Sequence, residues 1–202
     1  IGDLFSWAKR NMVNLVIKHI KKMVPAFQLN NQQTFLESLT IGSKGKYNRP
    51  QLNGQDIAFL QYTGGTTGIA KGAILTHRNM VANVEQATSW ISPVFNKNQN
   101  DLIITALPLY HIFSLTANCL TFLRLGIENI LITNPRDLTG FINEIKNSQF
   151  TAITGVNTLF NALLNHPEFK NVDFSKLKYT LSGGMSLQES VADKWLEVTK
   201  KP

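Results

Sequence analysis

The stretch of this sequence best equipped for chemistry is Tyr62-Thr63-Gly64-Gly65-Thr66-Thr67-Gly68-Ile69-Ala70-Lys71-Gly72. Its glycines let the backbone turn tightly and approach a ligand without a Cβ in the way. Its threonines add hydroxyls, successive backbone N–H groups in such a loop can converge on an anion, and Lys71 adds a mobile positive charge. Many small donors, one cation and no neighbouring carboxylate make a cradle for a polyphosphate. The loop is not G-x-x-x-x-G-K-[ST], because Ala70 precedes Lys71 and Gly72, which has no hydroxyl to offer a metal, follows it. No G-x-G-x-x-G opens a helix either. The same composition also suits a surface loop rich in turn residues, with Lys71 as a solvated lysine.

Such a loop needs regular elements to hold it. Residues 56–62 read as a buried strand before the loop, and 73–75 as a short strand after it, leading into a helix from about Asn79 to Trp90. Further strands are expected at 102–106, 130–132, 151–154 and 178–181, and helices at 111–125, 137–146, 158–164 and 186–198. Strands alternating with helices predict an α/β fold with a largely parallel sheet flanked by helices. Ahead of these, residues 11–24 predict an amphipathic helix with Val13, Val16, Ile17, Ile20 and Val24 on one side and Asn14, Lys18, Lys21 and Lys22 on the other, stopped by Pro25. Residues 29–54 read as a connector with a short helix at 35–39, which divides the chain into 1–54 and 55–202. His77 and Arg78 read as capping the next helix together with Asn79.

Composition narrows the class. The 202 residues are 43% apolar and 16% charged, ordinary for a globular chain with one sizeable core. Twenty basic against 13 acidic residues give +7, but the lysines are scattered apart from an N-terminal cluster, and no aromatic-interleaved basic stripe points to nucleic acid. Cys119 is the single cysteine, so no disulfide forms within the chain, and a reducing, cytoplasmic compartment is expected. No apolar run is long enough to span a membrane. Both ends, Ile1 and Lys200-Lys201-Pro202, read as cut from something longer.

The loop resembles the phosphate-binding signature of the acyl-adenylate-forming superfamily, [ST]-[SG]-G-T-T-G-x-P-K-G. It departs at Ala70, which stands where proline is common; this loosens the loop but removes no donor. Three more stretches agree in order: Leu107-Pro108-Leu109-Tyr110-His111-Ile112-Phe113, then Ile153-Thr154-Gly155-Val156-Asn157-Thr158-Leu159-Phe160, then Ser182-Gly183-Gly184-Met185-Ser186-Leu187. With Leu75-Thr76-His77-Arg78-Asn79 and Ile132-Thr133-Asn134-Pro135-Arg136-Asp137, the wording is similar to the long-chain fatty acid–CoA ligases of gamma-proteobacteria.

The resemblance implies a fold, a reaction and roles. The fold is an incomplete portion of the family's N-terminal domain. The reaction joins a fatty acid to CoA in two steps, through an acyl adenylate, with ATP, Mg²⁺ and CoA as co-substrate. Tyr62, Thr63, Gly64, Gly65, Thr66, Thr67, Gly68, Lys71 and Gly72 are implied to bind the nucleotide, with Thr66 and Thr67 offering oxygen to the metal and Thr67, Lys71 and His111 acting in catalysis. His111, Gly155, Val156 and Thr158 are implied to meet the acyl group, and Gly183 and Gly184 the adenine. Each also has a plainer reading, as a structural histidine or a tight strand–helix turn. The family's Tyr-Gly-x-Thr-Glu motif, ribose-binding Asp and C-terminal Lys fall beyond Pro202, so this stretch alone is expected to be inactive. The N-terminal helix suggests an anionic membrane surface as a further partner, peripheral on the inner membrane. Two other readings stay open: a fatty acyl-AMP ligase with another acceptor, and a non-catalytic nucleotide-binding or membrane-docking module.

Overall fold

Apolar residues spaced three and four apart make the first helix. In the computed structural model, which describes residues 5–26, 28, 30, 32–63, 71–95 and 100–201, α1 (Trp7–Leu15) runs into a π-helical turn, Val16–Ile20. This corrects the expected span of 11–24. The helix starts earlier, and Lys22, not Pro25, ends it: Lys22 turns left-handed at φ 47°, while the N–H groups of Lys21 and Met23 bond back to Val16 O (2.8 Å) and Ile17 O (3.0 Å). The next helix, α2 (Phe35–Lys44), outruns the expected 35–39. Its start is a capping box that Thr34-x-x-Glu37 spelled out: Thr34 N–H donates to Glu37 Oε2 (2.7 Å) and Glu37 N–H to Thr34 Oγ1 (3.3 Å). The hydrogen bonds from the Thr34 backbone and side chain hold the Glu37 carboxyl below its ordinary range. These helices belong to one compact unit, Ile1–Gln51; everything below belongs to the second, Leu52–Pro202.

Strands β1 (Ile57–Thr63) and β2 (Lys71–Thr76) pair antiparallel in a two-stranded sheet of their own, with Leu60 opposite Ile74 and Tyr62 opposite Gly72. The expected buried strand is therefore corrected: Ile57, Leu60 and Tyr62 are 57%, 57% and 63% exposed. The two strands are close in sequence, and a parallel pairing would need a longer crossover, so the antiparallel one is the one they take. Helix α3 (His77–Ile91) follows at once. Its cap is Thr76, not His77 or Arg78: Thr76 Oγ1 accepts from Asn79 N–H (3.3 Å) and Asn79 Oδ1 from Thr76 N–H (3.0 Å).

The main sheet is parallel, as expected. It comprises β3 (Leu102–Thr105), β4 (Glu128–Leu131), β5 (Ala152–Gly155) and β6 (Tyr179–Ser182) in the order β4-β3-β5-β6. After β3 comes one helical rod: α4 (Ile112–Ser114), a π-helical stretch Leu115–Leu120 and α5 (Thr121–Leu125). Then come α6 (Leu138–Lys146), capped by Asp137, α7 (Asn157–Leu164) and α8 (Glu189–Thr199). Alternation along the strands feeds two cores, which is why these strands lack polar alternation. Ile104 and Ile153 pack with Phe141, Ile145, Phe160 and Trp195 of α6, α7 and α8. Ile103 and Ala152 face the other way, toward Ile91, Phe95 and Phe122.

The larger core is held by an aromatic group. Trp195 lies 4.8 Å from Phe160 and 5.7 Å from Phe169, and Phe169 lies 5.2 Å from Phe174, centroid to centroid. Phe169 is 1% exposed, so Phe169→Ala leaves a cavity that its neighbours cannot close, and a loss of about 3–5 kcal/mol is expected. Urea unfolding of the variant checks this, with Lys170→Ala, exposed and one residue away, expected to stay within about 0.5 kcal/mol of the parent.

Candidate active site

The order β4-β3-β5-β6 sends the chain from β3 outward to β4, then back across to β5 and outward to β6. The loops leaving β3 and β5 thus diverge, and in open α/β sheets ligands bind at the carboxyl ends where the order reverses in this way. Both loops carry residues singled out by sequence. From β3, Ala106 to Tyr110 lead to His111, whose N–H bonds Pro108 O (3.0 Å), while buried Ser114 donates to Leu107 O (3.0 Å) and draws the start of the rod onto the loop. His111 is the exposed N-cap of α4, and its Nδ1 accepts the N–H of Phe113 at 3.3 Å. With Nδ1 occupied as acceptor, the neutral ring carries its proton on Nε2, leaving a donor there.

From β5, buried Gly155 enters a tight turn beneath α7. A Cβ on Gly155 would stand 2.9 Å from the Phe160 ring and 3.3 Å from Leu159 Cδ2, so only glycine lets the strand end approach the helix. Val156 is half-buried at the start of α7, and Thr158 is exposed in its first turn. The third stretch follows β6 and joins the other two. Gly183 N–H donates to Gly155 O (3.1 Å), Gly184 is left-handed at φ 77°, and a Cβ on Gly183 would come within 2.5 Å of Phe113 Cζ. Asn157 Oδ1 accepts the N–H of Gln188 (2.9 Å), tying the turn after β5 to the loop before α8.

Three of the four stretches picked out by sequence therefore meet at one edge of one sheet. None of the segments 106–111, 155–158 and 183–187 contains an Asp or Glu, which suits an anionic ligand. Glu189 follows two residues after Leu187, in the first turn of α8, while Asp101 sits at the opposite end of β3, paired with Lys178 (2.8 Å) and almost fully buried. The fourth stretch is on the hairpin, which packs against α3. Tyr62 and Lys71 are exposed at its loop end, Thr63 pairs with Lys71, and the Tyr62 ring covers Gly72, where a Cβ would meet it at 3.3 Å. Gly64, Gly65, Thr66, Thr67 and Gly68 lie outside the described residues. Two cavities flank the carboxyl edge: one of about 360 Å³ walled by Leu107, Pro108, Tyr110, Ile132 and Pro135, and one of about 310 Å³ between β6 and α8. Gly155, Val156 and Thr158 line neither. Phe113 and Asn157 fall within the quoted stretches but carry no role there, and Asn118 was not singled out, although a lone Asn within the apolar run 112–125 was a readable signal.

A family model for AMP-binding enzymes matches residues 8–202. The chain belongs to that family. The resemblance seen in the loop is borne out, and so is the α/β fold. The chain is 56% identical over 201 residues to a long-chain-fatty-acid–CoA ligase of Haemophilus influenzae, covering 98% of this chain and 36% of the relative. It is 53% identical over 199 residues to that of Escherichia coli O157:H7, covering 98% and 35%. It thus spans about a third of the length of the curated relatives it matches. Among solved structures, the fatty acyl-adenylate ligase from L. pneumophila in complex with acyl adenylate and pyrophosphate aligns at a TM-score of 0.73 and 25% identity, over 91% of this chain and 32% of that one.

In this AMP-binding domain the contact between Gly183 and Phe113 is directly testable. Gly183→Ala forces the ring aside and is expected to cost about 1–3 kcal/mol, whereas in a Phe113→Ala background the same change costs little. A double-mutant cycle in denaturant measures the difference; additive losses mean that the ring does not press on Gly183.

Proposed function

We propose that this chain is the phosphate-loop and acyl-site portion of a long-chain fatty acid–CoA ligase that works at the cytoplasmic face of the inner membrane. The observation that carries the reading is the 56% identity to a ligase of that name, through four ordered motifs of which three share the carboxyl edge of the sheet. A fatty carboxylate attacks the α-phosphorus of ATP and expels pyrophosphate; the CoA thiol then attacks the acyl carbonyl and AMP leaves. The first step brings an anion onto a polyanion, so preorganised donors are what it needs most. Thr63 to Gly68 and Lys71 hold the β- and γ-phosphates in this reading. Thr66 and Thr67 offer the hard oxygen ligands that suit Mg²⁺, which would neutralise phosphate charge. The His111 Nε2 donor orients the acyl carboxylate, Gly155, Val156 and Thr158 border the acyl group, and Gly183 and Gly184 receive the adenine plane. A fatty acyl-AMP ligase with another acceptor is the second reading, supported by the 0.73 TM-score to such an enzyme.

Docking on the membrane extends the same reading. No helix among the described residues is long and apolar enough to cross a membrane. Around α1 and its π-helical turn, Met12, Leu15 and Ile20 are 67%, 57% and 68% exposed, and Lys18, Lys21 and Lys22 are exposed with them. Apolar side chains with basic neighbours suit an interface carrying anionic lipid, each lysine adding about 1 kcal/mol near the surface.

Two measurements on the full-length protein test these proposals. Lys71→Ala removes a charge-assisted phosphate contact and is expected to slow exchange of pyrophosphate into ATP by about 1.5–3 kcal/mol of barrier; an unchanged rate takes Lys71 out of the site. Release of AMP that needs CoA favours the first acceptor reading, and acyl adenylate that accumulates and is not consumed when CoA is added favours the second. Replacing Lys18, Lys21 and Lys22 by Gln is expected to weaken co-sedimentation with phosphatidylglycerol vesicles while the unfolding midpoint holds. Binding that neither the replacement nor salt alters ends the docking proposal.

A further inference from the structure

A primary amide inside an apolar core is costly unless every donor and acceptor is matched, and a leucine fills similar space without that demand. Asn118 is such an amide, with 0% of it exposed. Its Nδ2 donates to Thr105 Oγ1 (3.0 Å) and Thr154 Oγ1 (2.6 Å), and Thr154 Oγ1 donates to its Oδ1 (2.9 Å). Thr105 Oγ1 in turn donates to Asn129 Oδ1 of β4 (2.8 Å). Thr105 and Thr154 stand opposite each other in the β3–β5 register, so one amide straddles the two strands whose carboxyl ends diverge toward His111 and Gly155.

Asn118 reaches that pair from the π-helical stretch of the rod that begins at His111. A π-helical turn widens the ring and changes which residues face inward, and such turns recur at functional sites. Hydroxyls close the wide turn: Thr116 Oγ1 donates to Ile112 O (2.8 Å) and Thr121 Oγ1 to Thr116 O (2.7 Å). Apolar packing lets a helix slide or rotate by fractions of a residue, whereas a polar contact of this kind permits one register.

We propose that Asn118 is a positioning residue: its amide locks the rod against β3 and β5 and so decides where His111 stands relative to the end of β5. It touches no reacting group. The proposal rests on the reading of His111 as the residue that orients the acyl carboxylate.

The test uses the full-length protein, pyrophosphate–ATP exchange with oleate, and thermal unfolding. In the variant Thr105→Val, Thr154→Val, Asn118→Leu, the amide and its two threonine partners become apolar groups of similar volume, and only half-buried Asn129 of β4 loses a hydrogen bond. The unfolding midpoint is expected to hold while kcat for exchange falls about tenfold or more and KM for ATP stays within about twofold, the mark of lost orientation rather than lost binding. In a His111→Ala background the same replacement is expected to have no further effect. Thr154→Val alone, which keeps the side-chain shape, serves if the triple variant does not fold, and a smaller loss of kcat in the same sense is expected of it. If His111→Ala leaves exchange unchanged, the reading of His111 fails and the proposal falls with it. If His111→Ala is impaired while a folded Asn118 or Thr154 variant keeps the parent kcat, or if the losses multiply in the double variant, the positioning role alone is overturned.

Discussion

The carboxyl edge of the sheet depends on how β3 and β5 are joined. They pair in parallel with Ile104 opposite Ile153 and Thr105 opposite Thr154, and they are covered on both faces. A parallel pair has no hairpin to set its register; register comes from what packs on the faces and from specific side-chain bonds. On one face Ile104 and Ile153 meet the aromatic core of α6, α7 and α8. On the other, the Asn118 amide bonds both threonines at once. Shifting the register by one residue would put the threonines into the apolar core and the isoleucines against the amide, so the two faces enforce each other.

With that pair set, the neighbouring chain segments have little freedom. β5 ends at Gly155, whose carbonyl receives Gly183 N–H, and Gly183 is pressed by the Phe113 ring from the start of the rod. Three segments far apart in sequence touch within a few residues because two of them lack a Cβ at the contact. The loop segments that meet there, 106–111, 155–158 and 183–187, contain no Asp or Glu, and the cavity between β6 and α8 includes the carboxylate of Asp193. Charge on the opposite end of the sheet is neutralised internally, by Lys178 and Asp101. That asymmetry is what binding an anionic ligand at one edge of a sheet calls for.

The comparisons separate what holds the fold from what sets the chemistry. At 25% identity the L. pneumophila ligase keeps the backbone path at a TM-score of 0.73, because apolar volume and the alternation of strands and helices suffice for the architecture. The H. influenzae ligase is 56% identical over a match that covers 98% of this chain, loops as well as strands. Loops do not pack a core, so agreement there bears more on chemistry than agreement in the strands does.

Much of this was legible in the chain itself. Local chemistry determined the parallel α/β class and most helix positions, because apolar period and capping residues act over a few neighbours. Thr34-x-x-Glu37 is a cap signal of the same local kind, whereas at 76–79 the sequence pointed to His77 and Arg78 and the structure gives the role to Thr76. What local patterns could not decide was anything set by distant partners. The run 57–62 is apolar enough for a buried strand, yet its partner is the chain just beyond the loop, and the pair stays exposed. Asn118 reads in sequence as a flaw in an apolar helix. Only the fold brings Thr105 and Thr154, 13 and 36 residues away, to meet it, because hydrogen-bond partners are assigned by topology and not by neighbourhood in the chain.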